Sequence, residues 1–115
     1  MTDQTRKFPR IPVPLALSCR RSGSLADVWR EVAMLNLSAG GVRFETDEPY
    51  DPFELLELRL SLPGSRAPLA LRGRVVRSQA GEAGLFECAV EFVEVAPTQQ
   101  AELDDLVAFL SRRIE

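Results

Sequence analysis

Two short clusters hold the residues best suited to recognition chemistry. Arg6-Lys7-Phe8-Pro9-Arg10 sets two arginines four residues apart, and Asn36-Leu37-Ser38-Ala39-Gly40-Gly41 gathers a carboxamide, a hydroxyl and two glycines. A guanidinium grips phosphate oxygens bidentately with its planar fork of donors. Asn36 brings both an amide donor and a carbonyl acceptor, and Ser38 a hydroxyl that donates or accepts. Gly40 and Gly41 permit a turn with positive φ and let a ligand approach the backbone with no Cβ in the way. In a chain with 13 arginines, Arg-x-x-x-Arg is expected about once by chance. Asp/Asn-x-Ser-x-x-Gly is expected only about 0.03 times, so the second cluster carries more information.

The charge pattern points the same way. Net charge is −3, yet residues 1–21 hold Arg6, Lys7, Arg10, Arg20 and Arg21 against Asp3, a balance of +4 that leaves −7 for the rest. An acidic body with a basic arm implies one localised anion site and argues against broad binding to DNA, RNA or anionic lipid. A barrel for single-stranded nucleic acid needs a basic groove with interleaved aromatics, and only 7% of these residues are aromatic.

Catalysis has little to work with. The chain has no histidine, which removes Ser-His-Asp and Cys-His arrangements, and its two cysteines, Cys19 and Cys88, are isolated. They read as small buried hydrophobes in a reducing compartment, with no metal site and no enzyme expected. No apolar run approaches the roughly 18 residues of a membrane span, and MTDQTRKFPR lacks a signal-peptide core. The expected protein is cytoplasmic, with no membrane insertion, and a monomer or weak dimer.

The elements that must position these clusters are mainly β. Prolines 9, 12 and 14 exclude a helix from the arm, so Arg6 and Arg10 do not share a helical turn but sit on an extended strap. Leu15, Leu17 and Cys19 alternate along a first strand. A second spans about 27–36, with Val28, Val32 and Met34 sharing a face with Arg30 and Asn36. Val42 and Phe44 oppose Arg43 and Glu45 in a third. Leu56, Leu58, Leu60 and Leu62 alternate with polar residues in a fourth, which Pro63-Gly64-Ser65 ends in a turn. Leu69, Leu71, Gly73 and Val75 face away from Arg72 and Arg74 in a fifth, and Phe86, Cys88, Val90 and Phe92 line a sixth. Arg20 and Arg21 read as surface charge at a strand end, and Trp29 as barrel packing. Pro97-Thr98 opens a helix, with Thr98 as the expected N-cap, whose stripe of Leu103, Leu106, Val107, Leu110 and Ile114 covers the core. The fold class is mainly β, a six-stranded antiparallel β-barrel with a C-terminal α-helix. One domain is expected over residues 1–115, with 1–12 a flexible ligand-binding strap, 13–94 the barrel and 97–114 the helix.

The two clusters in this order, one hairpin's length apart and followed by the remaining strands and a terminal helix, resemble the PilZ domain family. GRVVRS at 73–78 and AVEFVE at 89–94 also look like that family's fifth and sixth strands, although Ala89 stands where a glycine is frequent and the strap reads Arg6-Lys7 where an arginine doublet is common. The resemblance implies a split-barrel receptor, not an enzyme, for the bacterial second messenger cyclic di-GMP, bound by Arg6, Arg10, Asn36, Ser38 and Gly41 with secondary contacts from Lys7 and Gly40. It implies no cofactor, and an unidentified protein effector in control of motility, biofilm polysaccharide or virulence. The alternative is a PilZ-like interaction module that works without nucleotide. The residue chemistry fits the first reading: the ligand is a dianion with two guanines, and arginine matches both phosphate and the O6/N7 edge of guanine. Arg10→Ala is expected to weaken cyclic di-GMP binding at least about tenfold, since each charge-assisted hydrogen bond contributes about 1.5–3 kcal/mol. The melting temperature without ligand should not change. Titration calorimetry beside a thermal melt checks both, and normal binding by Arg10→Ala would remove the strap from the site.

Overall fold

A computed structural model describes residues 15–23, 28–61 and 67–114. The strap 1–12 with Arg6, Lys7 and Arg10, together with Leu62 and the turn 63–65, lies outside the described residues. Six strands precede one helix in chain order: β1 (Ala16–Arg21), β2 (Arg30–Leu37), β3 (Gly41–Thr46), β4 (Leu55–Ser61), β5 (Leu69–Ala80), β6 (Phe86–Val93) and α1 (Pro97–Ile114). The strands close into a barrel in the order β1-β2-β3-β6-β5-β4, every neighbouring pair antiparallel.

Alternation dictates this closure. Leu17 and Cys19, Val42 and Phe44, Leu56, Leu58 and Leu60, Leu71 and Val75, and Cys88 and Val90 are buried, while the residues between them face outward or sit at half burial. Each strand therefore gives one apolar row to a common interior, and a barrel of six strands is narrow enough for those rows to fill it. Phe44, with no exposed surface, is the largest of the fully buried side chains. α1 joins the same cluster through Leu103, Leu106 and Leu110.

Two interruptions of the alternation decide what faces out. The β2–β3 register shifts between Met34 and Asn36, so Met34 sits opposite Phe44 whereas Asn36 sits opposite the outward Arg43. Asn36 thus shares the outer face, a correction to the face shared with Val32 and Met34 that strict period two predicts; an extra residue in the strand reverses the parity beyond it. The β5–β6 register shifts likewise between Val75 and Arg77. Val28 departs from expectation too: it precedes β2 and is 70% exposed.

Trp29 packs against the outer wall of the barrel. It is absent from the buried core and instead lies outside the barrel, with the Arg59 guanidinium 3.8 Å and that of Arg20 4.7 Å from its ring centre. Arg20 also bonds Glu57 at 2.9 Å. Arg21 binds Glu48 at 2.8 Å and Glu54, and stacks 4.8 Å over the ring of the buried Tyr50, so this strand end is a polar plug rather than idle charge. The helix begins one residue before Thr98. Ala96 is the N-cap: its carbonyl accepts from Gln100 N–H at 2.9 Å, Pro97 occupies the first helical position, and the Gln99 side chain accepts the Ala96 N–H at 2.8 Å. Proline suits that position because its missing N–H would have no partner there.

The interior has no slack at Gly73. A Cβ built there would collide with a methyl of Val90 and reach 3.0 Å from one of Leu58. Gly73→Ala is therefore expected to destabilise the protein by about 1–3 kcal/mol through overpacking. A denaturant midpoint equal to the wild type's would show that the core can yield.

Candidate functional site

The residues from Asn36 to Gly41 form a tightly tied turn. Ser38 N–H donates to the Gly41 carbonyl at 2.9 Å, the Ser38 hydroxyl donates to the same oxygen at 3.3 Å, and Gly40 N–H donates back to Ser38 Oγ at 3.3 Å. Next to it, Phe92 N–H donates to the Gly40 carbonyl at 2.9 Å and Gln100 Nε2 to the Ala39 carbonyl at 3.3 Å, fastening the turn to β6 and to the first turn of α1. Ser38 was expected to offer its hydroxyl to a ligand; its hydroxyl is here the organiser of the turn. Neither Gly40 nor Gly41 has a positive φ, in contrast to the conformational role read from the sequence. Gly41 is required for a different reason, since a Cβ there would collide with the Val90 carbonyl oxygen, whereas Gly40 faces open space.

This turn borders an open depression of about 380 Å³ on the outside of the barrel, lined by Asn36, Ser38, Gly40, Gly41, Val42, Arg43, Val76, Ala89, Val90 and Glu91. Four strands build it. β3 and β6 form the floor, and the two strands with register shifts, β2 and β5, form the walls. The first shift turns the exposed Asn36 carboxamide toward the depression, and the second brings Val76, 54% exposed, to the opposite rim. Across the floor, Arg43 lies opposite Ala89, and Ala89 lies opposite Arg77. The methyl of Ala89 leaves the middle of that row low, between two guanidinium side chains.

Electrostatics in and around the depression are largely self-balanced. Arg43 bonds Glu87 at 3.1 Å, Arg74 bonds Glu91 at 3.0 Å and Arg72 bonds Glu94 at 2.9 Å. Exposed pairs of this kind contribute about 0–1 kcal/mol each, so a bound anion can take over such a guanidinium at small expense. Among the described residues the Asn36 amide makes no hydrogen bond and is open to a ligand. Arg43, Val76 and Glu91 were not assigned to the site from sequence. Their outward alternation was legible, but which outward residues become neighbours is set by register, which composition and spacing do not encode.

Elsewhere the chemistry is quiet. Burial pushes the Cys88 thiol up to about 12, and burial also raises Cys19, opposed by its 3.4 Å hydrogen bond with Tyr50. Both thiols stay protonated near neutral pH and are poor nucleophiles. Among the described residues no group of three acidic or cysteine side chains is placed to hold a metal ion, and no helix is long and apolar enough to cross a membrane.

The family model of the PilZ domain matches residues 4–109. No curated protein matches the sequence significantly. Among solved structures, the Bacillus subtilis inhibitor of motility MotI/DgrA aligns with a TM-score of 0.64 at 20% identity, over 96% of this chain and 51% of that one. The PilZ domain of CeSA from a cellulose-synthesizing bacterium aligns at 0.64 and 19% identity, over 88% and 96%. YcgR of Escherichia coli in complex with c-di-GMP aligns at 0.66 and 16% identity, over 95% and 47%. The chain thus spans about half the length of MotI/DgrA and of YcgR.

The two adjacent glycines separate close packing from conformational freedom. Gly41→Ala is expected to cost about 1–3 kcal/mol, because backbone must move to relieve the clash with Val90, and to lower the melting temperature by roughly 4–12 °C. Gly40→Ala should stay within about 0.5 kcal/mol of wild type. Equal melting temperatures for the two variants would contradict the packing role of Gly41.

Proposed function

We propose that this chain, which belongs to the PilZ domain family, is a receptor for cyclic di-GMP and not an enzyme. The observation that carries the reading is the depression on the outer barrel wall, bordered by the organised Asn36–Gly41 turn and wide open to a doubly charged ligand with two planar bases. The family match and the presence of c-di-GMP in the YcgR complex, a protein of the same fold, support it. Asn36 offers its amide to a guanine edge, and the Gly40 and Gly41 backbone allows close approach. Arg6 and Arg10, with Lys7 beside them, close over the ligand from the N-terminal strap and bind phosphate and the O6/N7 edge of guanine. Ser38 acts through the turn it holds.

Binding becomes a signal by ordering residues 1–12 against the turn. Fixing backbone costs about 1–2 kcal/mol per residue, which the charge-assisted contacts must exceed. The closed strap makes a surface that exists only with ligand and that a protein effector reads. That effector is expected to serve motility or polysaccharide production in the cytoplasm, in line with MotI/DgrA being an inhibitor of motility and CeSA coming from a cellulose-synthesizing bacterium.

Titration with cyclic di-GMP, cyclic di-AMP and GTP should give heat for the first alone, and affinity should fall as salt rises, because the arginine–phosphate contacts are partly exposed. Ser38→Ala should lose less affinity than Arg10→Ala and keep the wild-type salt slope, since it removes a neutral group. Hydrogen exchange at residues 5–12 should slow on binding while the helix over 99–112 changes little. Absence of heat with every nucleotide would put a nucleotide-independent interaction module in place of the receptor, and a strap already protected without ligand would replace the ordering step with a preformed site.

A further inference from the structure

The far end of β5 is a sheet edge without a neighbouring strand. Residues 55–60 of β4 pair with 69–74 of β5, and beyond Val75 the strand runs on to Ala80 paired with β6 alone. Parity shows which backbone groups lie open there. Gly81 N–H donates to the Leu85 carbonyl at 2.8 Å and so faces β6, whereas Val75 bonds Phe53 and Glu54 on the opposite side. Counting back from Gly81, Gln79 and Arg77 bond toward β6, and Ser78 and Ala80 turn their N–H and C=O groups outward. The extra residue at the shift between Val75 and Arg77 reconciles the two ends. Among the described residues no backbone hydrogen bond besides the β6 ladder reaches 76–80.

An open edge templates further strand pairing, and lysine, proline or inward charge are the usual side-chain guards against it. Ser78-Gln79-Ala80 has none of them. Its flanks carry opposite charges instead, Arg77 before it and Glu82 after it. Both are exposed, and among the described residues neither makes an ion pair. Beside the same edge stands Phe53, 80% exposed and held at a φ of 72°, a strained conformation for a bulky side chain. Three ties impose it. Phe53 N–H donates to the Val75 carbonyl at 2.7 Å, Asp51 N–H donates to Glu54 Oε1 at 2.9 Å, and Arg21 holds the other oxygen of Glu54. The loop thus fixes a phenyl ring in solvent next to the open edge.

We propose that two copies of this chain pair through this edge, β5 against β5, about a two-fold axis at Gln79. Outward groups must meet outward groups, so Ser78 of each copy exchanges hydrogen bonds with Ala80 of the other, and Gln79 faces Gln79. In that register Arg77 comes beside Gly81 and Glu82 of the second copy, and each unpaired charge meets its opposite twice over. The same step brings the turn over 81–85 of the second copy up to Phe53, with Ala83 and Leu85 to cover the ring. The occupant is a second copy because one edge supplies both charges, and a two-fold pairing sets each against the other. β5 lines the depression through Val76 alone, so the pairing leaves the Asn36 side open and needs no nucleotide.

Sedimentation equilibrium of the full chain without nucleotide tests this. Wild type should pass from monomer to dimer within about 10 μM to 1 mM, as suits a small interface. Ser78→Pro removes an outward donor while sparing the β6 ladder, and should weaken association at least about tenfold. Arg77→Glu and Glu82→Arg should each weaken it about fivefold or more. The double reversal Arg77→Glu/Glu82→Arg should restore it, a rescue that a folding defect does not imitate. Phe53→Asn should also weaken association while keeping or raising the melting temperature, since asparagine tolerates positive φ. A wild-type monomer throughout that range would overturn the pairing and make a different protein the occupant of the edge. A dimer that survives all four single changes would overturn it by placing the interface elsewhere. Failure of the double reversal to restore association would overturn the register at Gln79.

Discussion

A barrel of six strands is too narrow to hold both its own side chains and a ligand, and here the side chains win. Phe44, Leu17, Leu56, Leu58, Val75 and the two cysteines occupy the interior with almost no exposed surface, and even Gly73 is pressed upon by Val90 and Leu58. Burying each such side chain contributes about 1.5–3 kcal/mol, against about 0–1 kcal/mol for an exposed ion pair. Stability is thus an affair of the inward rows, and every recognition group must be found on the outside. This division explains why the outer face of β3, β5 and β6 can carry arginines and glutamates in close pairs with so little bearing on whether the barrel forms.

A smooth barrel wall would nonetheless make a poor site, because period-two alternation spreads outward residues evenly. The two register shifts break that evenness. One lies in β2 between Met34 and Asn36, the other in β5 between Val75 and Arg77, and they flank the same pair of floor strands. Each adds an unpaired residue to its wall and re-aims a side chain. The β5 shift follows the point where Val75 exchanges both its backbone hydrogen bonds with Phe53 and Glu54, at 2.7 and 2.9 Å, the last tie on the β4 side. Beyond it β5 pairs with β6 alone, so its geometry can deviate without disrupting a second ladder.

These shifts also mark where the sequence stops being legible. Alternation of apolar and polar residues located all six strands, and the rarity of the Asn36–Gly41 pattern located the turn. Both signals are local. A bulge is not visible in them, since residues on either side still alternate, and so Asn36 was assigned to the wrong face. The glycines were read for conformational freedom because sequence reveals a residue's own torsional range but not the Val90 carbonyl that crowds Gly41. Trp29 reads as barrel packing, but the sequence does not say on which face; two arginines distant in sequence, Arg20 and Arg59, hold it on the outer wall.

The turn's attachments bear on how a receptor of this kind divides its labour. Gly40 is bonded to Phe92, Ala39 to Gln100, and Ser38 closes the turn on itself, so this half of the site is fixed by β6 and α1 before any ligand arrives. A fixed half contributes shape at little entropic cost and changes little on binding, which makes it a poor source of signal. On the proposed reading the strap is the complement: ordering it costs about 1–2 kcal/mol per residue, so a handful of residues absorbs most of what two or three charge-assisted contacts of about 1.5–3 kcal/mol release. Net affinity then depends on groups whose backbone is already in place. Asn36 and the outward cation of β3 meet that requirement, because their strands are paired whether or not the ligand is bound. On the proposed reading, the rigid wall sets how tightly the ligand is held, and the strap converts its presence into a new surface.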